Sequence, residues 1–190
     1  CQQLLLPYCR KLAGVIRMSQ PGEINFPRPF RGLGLGEHRF LTLLPVALDS
    51  PAVRLIETNA FPVSFLMKRA RIWLLAKEGF CWIDETVPCI VLTQHYYQNG
   101  NDLDLYLDLL HELTHIRQIF EGRDVWEEKI PYHRRPTEIE GYAVAVAEGR
   151  RLGMDELAII KHLSNPWMTT DQVAELLKSV NNFLAESGQL

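Results

Sequence analysis

The sequence lacks an excess of charge of either sign. Its 20 lysines and arginines stand against 23 aspartates and glutamates, for a formal net charge of −3. Nucleic-acid binding feeds on clustered cations, so no nucleic-acid partner is expected, and the run Lys68-Arg69-Ala70-Arg71 reads as a solvated helix face. Long hydrophobic runs are also missing. Arginine or lysine interrupts every apolar stretch, residues 65–77 included, before the ~20 residues that cross a bilayer. The chain is therefore expected to have no transmembrane segment and to be soluble, with the cytoplasm as its expected compartment. The alternative is an exported lipoprotein carried on Cys1, against which the packing-helix character of LLLPYCRKLAGVIRM counts.

Cysteine is scarce. Cys1 and Cys9, and Cys81 and Cys89, form two pairs spaced too widely for a CxxC metal knuckle or redox motif. Cys81 and Cys89 flank a hairpin turn, so a disulfide across two strands is one reading and a pair of buried thiols the other. There is no GxSxG elbow, no Walker loop and no cysteine with an activating local context. Gly32-Leu-Gly34-Leu-Gly36 does not fit a dinucleotide or phosphate fingerprint. No internal repeat or low-complexity tract is evident.

What remains is 190 residues with 47% apolar content, the right size for one domain spanning 1–190 with its own core. Apolar spacing predicts a helix over 4–18, and the Pro- and Gly-rich stretch 19–36 a loop. A strand is expected over 40–47 and a helix over 59–78 closed by Gly79. Two β-rich runs follow, 80–84 and 88–95, joined by an acidic turn, with CIVLTQHYY carrying the β-branched and aromatic residues that sheets favour. After a turn at 98–101, Asp102 is placed as the N-cap of a long helix to about Glu121, closed by Gly122. A polar connection over 123–135 leads to a helix starting at Pro136 or Thr137 and ended by Gly153. Helices over 155–163 and 170–187 complete the chain, so the core of any site lies within about 80–153 and residues 154–190 pack on it.

The long helix contains HELTH, residues 111–115. Four positions apart on a helix, His111 and His115 emerge on one face, about 40° apart around the axis, where both imidazoles can grip one metal ion. Glu112 points to the side of that pair, placed to take a proton from metal-bound water without becoming a ligand. A strand precedes the helix, leucines surround the motif, and carboxylates open the next helix.

HELTH on a helix closed by glycine, followed by a helix that begins RPTEIEGYA, resembles the zincin metallopeptidases, in particular their gluzincin branch. The resemblance covers about 89–152. It implies an α+β fold with a small, mostly antiparallel sheet over the active-site helix, and a Zn2+ cofactor held by His111, His115 and a glutamate from the following helix. It further implies Glu112 as general base and a peptide or protein substrate. The third ligand is expected to be Glu138, after 22 intervening residues, with Glu140 as the alternative. Thr137-x-x-Glu140 fits a capping box, which gives Glu140 a structural role of its own. The metzincin pattern would need glycine at Gln118 and histidine at Glu121.

Other polar residues have structural and functional readings side by side. His133 is a candidate oxyanion donor or alternative ligand, or a solvated loop histidine. Tyr132 and Tyr142 are candidate oxyanion donors or packing residues. Asp108, one turn before His111, is a candidate to orient a histidine ring, or part of a solvated face. His38, His95 and His162 are read as uninvolved, the last as surface. The expected reaction is zinc-dependent hydrolysis of a peptide or amide bond. The alternative is a zincin-like domain in which metal serves structure or regulation, suggested by how little chain is left to wall a deep cleft. A chance HELTH on a helical interaction protein is the third.

Overall fold

The computed structural model describes residues 26–46 and 48–188; the helix expected over 4–18 lies outside them. Strand β1 (Gly36–Arg39) runs directly into a single helical turn, α1 (Phe40–Leu43), and a 3-10 turn spans Val53–Leu55. Then come α2 (Val63–Arg69), β2 (Arg71–Leu75), β3 (Cys81–Asp84), β4 (Cys89–Thr93) and α3 (Gln94–Asn99). The second half is helical: α4 (Asp102–Phe120), a 3-10 turn at Tyr132–Arg134, α5 (Pro136–Arg151), α6 (Glu156–Leu163) and α7 (Thr170–Glu186). The α+β class is as expected. The sheet is mixed, in the order β1-β2-β4-β3, with two antiparallel pairings around a parallel β2–β4 pair.

Several local expectations give way to pairing over distance. The strand expected over 40–47 is replaced by β1, four residues earlier, and α1. Polar GEHR pairs with β2 in register Gly36 to Leu74 and Arg39 to Arg71, and Phe40 then donates its N–H to Ala70 O. The helix expected over 59–78 is two elements. Ala70 is extended at φ −59°, ψ 139°, which stops α2, and RIWLL becomes β2 because both of its edges find partners. Gly79, with φ +123°, therefore serves the β2–β3 turn and not a helix end. The strand expected to reach His95 stops at Thr93, whose hydroxyl accepts the Tyr96 N–H and starts α3. Asn101, not Asp102, caps α4, accepting from Leu103 N and Asp104 N. Cys81 lies opposite Leu92 and Cys89 opposite Asp84, so the register holds the two thiols apart; both are free.

One core lies between the sheet and α4, where Ile72, Leu74, Ile90 and Leu92 meet Leu105, Leu109, Leu113 and Ile116. A second lies between α5 and the last helices, where Ala143 and Val146 meet Ile159, Leu163, Leu176 and Val180. The two meet across α5, which is why GYAVAVAEG is small and apolar on both sides. The same sandwiching buries α4 around its whole circumference from Leu109 to Gln118, polar HELTH residues included.

Glu148 ties these layers together. Fully buried, it accepts hydrogen bonds from Ser50 Oγ (2.8 Å), Tyr106 OH (3.0 Å) and the Arg151 guanidinium (2.8 Å to each oxygen). Burial opposes its charge, but the bonds from Arg151, Ser50 and Tyr106 outweigh burial and hold the carboxyl below its ordinary value. Folding then favours the ionised form, so this stabilisation is present above the ordinary glutamate range and is lost as pH falls through the folded value. Glu148→Ala orphans two buried hydroxyls and is expected to cost about 3–5 kcal/mol in urea unfolding. A loss below about 1 kcal/mol would show that the network is dispensable.

Candidate metal centre

The facing sides of α4 and α5 bring His111, His115 and Glu138 together. Pro136 sets the first turn of α5, and Glu138 lies within that turn. One turn further on, Gly141 lies against the His111 ring: a β-carbon there would come within 2.9 Å of its Cε1 and Nδ1. Any larger residue would push α5 away from α4. The result is a triangle. His111 Nε2 and His115 Nε2 are 2.9 Å apart, and the Glu138 oxygens lie 3.3 Å from His111 Nε2 and 3.6 Å from His115 Nε2.

These three side chains are buried and can hold a metal ion. A tetrahedral ion with bonds of about 2.0–2.1 Å spaces its ligand atoms roughly 3.3 Å apart, and the separations here, two of them to different Glu138 oxygens, lie on either side of that value. Glu138 Oε2 is buried without a formed hydrogen bond, as expected of an atom whose partner is a cation.

A chain of polar groups orients the second imidazole. Gln118 Nε2 donates to Thr137 O (3.1 Å) and Glu140 Oε2 (2.7 Å), which fixes the amide so that Oε1 accepts from His115 Nδ1 at 2.7 Å. With Nδ1 donating, Nε2 is the atom left to face the metal. Glu140 itself is held by Arg117, Gln118 and Arg123, at 2.5 Å from Arg123 Nη1. His111 Nδ1 has no hydrogen-bond partner; its ring is held by packing, between Gly141 and the Tyr142 ring at 4.3 Å.

The electrostatics follow from burial and proximity. Burial lowers His111. It works the same way on His115, but Glu138 outweighs it and raises that imidazole, and His115 in turn holds Glu138 well below the ordinary carboxylate range. Burial pushes Glu112 up to about 8, helped by Glu138 and Asp108 and opposed by His115. Glu112 Oε2 is buried without a partner, and the residue lines the pocket beside the triangle.

That pocket holds about 840 Å³. It is lined by Cys81, Trp82 and Ile83 of β3 and by one side of α4, and Trp126 and Trp167 line it too. Both indoles are substantially exposed.

The other sequence candidates fall as follows. Glu140 is committed to Arg117, Gln118 and Arg123 and does not join the His111–His115–Glu138 group. Nor is it part of a capping box, since Arg135 occupies the N-cap without a side-chain bond and Thr137 is inside the helix. His133 is buried and turned to Glu175 at 3.3 Å, away from the pocket. Tyr132 and Tyr142 both line the pocket, their hydroxyls bonded to each other at 2.8 Å, with Asn165 Nδ2 donating to Tyr142 OH. Asp108 does not orient His111: it accepts from Tyr96 OH and faces His162. His162 is not a surface residue but a wall of the pocket, its side chain 4% exposed. Gln118 was not a sequence candidate, although its place three residues after His115, on the same helix face, is a legible signal.

Gln118→Ala is expected to weaken metal binding about 10–100-fold in competition with a chromophoric chelator. An unchanged affinity would show that the amide does not position His115. No helix of the described residues is long and apolar enough to cross a membrane. Comparison with family models, curated proteins and solved structures found no match.

Proposed function

We propose that the protein is a zinc-dependent hydrolase of peptide or amide bonds, of the gluzincin-like kind. The observation that carries the reading is the buried His111–His115–Glu138 triangle opening onto a large pocket with the Glu112 carboxyl beside it. Two imidazoles and one carboxylate on this spacing suit zinc. When bound, the ion supplies a Lewis acid that activates water and polarises a carbonyl.

The chain's own residues do the rest. Glu112 holds an oxygen without a donor at the pocket wall; ionised, as a bound cation nearby would favour against the effect of burial, it acts as the base, accepting a proton and returning it to the departing amine. Gln118 keeps the His115 ring in one orientation. Strand β3 is the edge of the described sheet and lines the pocket through Cys81, Trp82 and Ile83, which suits an extended polypeptide, since one can pair with a free strand edge. A pocket of 840 Å³ is ample for several side chains, which favours catalysis over a purely structural metal.

Glu112→Gln is expected to retain stoichiometric zinc and lower hydrolysis of a broad peptide library by about 10²–10⁴-fold; His115→Ala loses both metal and hydrolysis. A Gln variant as active as wild type overturns the base assignment. Zinc that raises the melting temperature while no peptide is cut points to the structural alternative. Bound iron in place of zinc refutes the metal assignment.

A further inference from the structure

The pocket has a second polar group, one to two turns of α4 before His111. Asp104 and Asp108, four residues apart, share a helix face, and α6 lays His162 across them. Its Nδ1 is 3.4 Å from Asp104 Oδ1 and its Nε2 3.8 Å from Asp108 Oδ1. All three residues line the pocket. The His162 side chain is more than nine-tenths buried, and its Nε2 has no hydrogen-bond partner.

This geometry is made for a donor. An ionised Asp104 can only accept, so it draws the ring N–H to Nδ1. In the neutral ring Nε2 then carries a lone pair, with Asp108 Oδ1 a second acceptor 3.8 Å away. The other Asp108 oxygen accepts from Tyr96 OH, which anchors the carboxylate. A cation with several N–H groups bridges two such acceptors, with Asp104 supplying further negative charge; an anion would face two carboxylates. Without that cation a proton on His162 serves as counter-ion: burial works against it, and Asp104 and Asp108 outweigh burial. The remaining charges on this wall do not fill the role. Asp155 is engaged as the cap of α6, accepting from Ala158 N, and Lys161 is exposed on a flexible stem that reaches solvent.

We propose that Asp104, Asp108 and His162 form a subsite for a cationic side chain, lysine or arginine, of a polypeptide lying in the pocket. The proposal rests on the hydrolase reading for the bond that is cut, but not for the binding. Along α4 the subsite is about 5–10 Å from His111, which an extended chain covers in two or three residues at ~3.3 Å each. Substrates are then basic segments, with the charged residue at that distance from the scissile bond.

The test uses the zinc-loaded protein and dodecapeptides of one apolar sequence, each carrying a single arginine at a different position or citrulline, its neutral isostere, in the same place. Cleavage is read as kcat/KM with wild type and binding as Kd with Glu112→Gln. At one position, two or three residues from the cut, arginine is expected to be favoured over citrulline about tenfold in both readouts. Asp104 is half-exposed, so Asp104→Asn is expected to fold, as a melting curve checks, and to lower the ratio about threefold, leaving the part that Asp108 supplies. Tenfold preference in binding with no cleavage upholds the subsite while the hydrolase reading falls. Cleavage without an arginine preference, or a preference that Asp104→Asn leaves unchanged, overturns the subsite and leaves the hydrolase reading standing. Failure of both peptides to bind overturns the subsite too.

Discussion

The close approach of α5 to α4 at Gly141 is the constraint on which the candidate site depends. Absence of a side chain there lets the helix backbone lie against the His111 ring, and that contact carries Glu138, one turn earlier, onto both imidazoles. Burying two histidines and a glutamate is costly when they are apart. Converged within 3.6 Å they compensate one another, His115 and Glu138 as an ion pair or all three around a cation. The two cores hold α5 in this position from either side, and Glu148 pins its far end to α4 through Tyr106.

Polar groups on α4 divide by the company they keep. Toward its C-terminal end, Arg117 and Gln118 bond to Glu121, Glu140 and Thr137 and serve to hold geometry, with Arg117 Nε alone of their donors left buried and unpaired. Toward the middle, Glu112 and the Glu138 oxygen facing His111 are buried with hydrogen-bonding capacity unused. Saturated networks rigidify a core, whereas unsatisfied buried atoms beside an open pocket mark where a ligand completes the structure. The pocket therefore has a rigid floor at the metal triangle and a second polar group at His162, with exposed tryptophans along its walls.

The fold was legible wherever the signal was local. Helices α4 and α5 stand within a residue or two of their expected ends, because Pro136 and the positive-φ glycines Gly122 and Gly153 are punctuation read one residue at a time; only the cap of α4 moves, from Asp102 to Asn101. The capping box of α7, Thr169 with Gln172, belongs to the same class of signal. The stretch from Gly36 to Leu75 was not legible, since GEHR has no strand character of its own and RIWLL continues the apolar spacing of α2. Only their mutual pairing, and that of β2 with β4, decides their state.

By itself the sequence determined the His111, Glu112, His115 face, since helical spacing alone puts two imidazoles on one side, and it named Glu138 ahead of Glu140. Tertiary structure decided the rest. It sent Glu140 to Arg117 and Arg123, turned His133 to Glu175, joined Gln118 to His115 and brought His162 onto Asp104 across a separation of 58 residues. The physical reason is that periodicity fixes only which side of its own helix a residue occupies. Which other helix arrives opposite depends on glycine contacts, buried volumes and ion pairs between segments far apart in the chain.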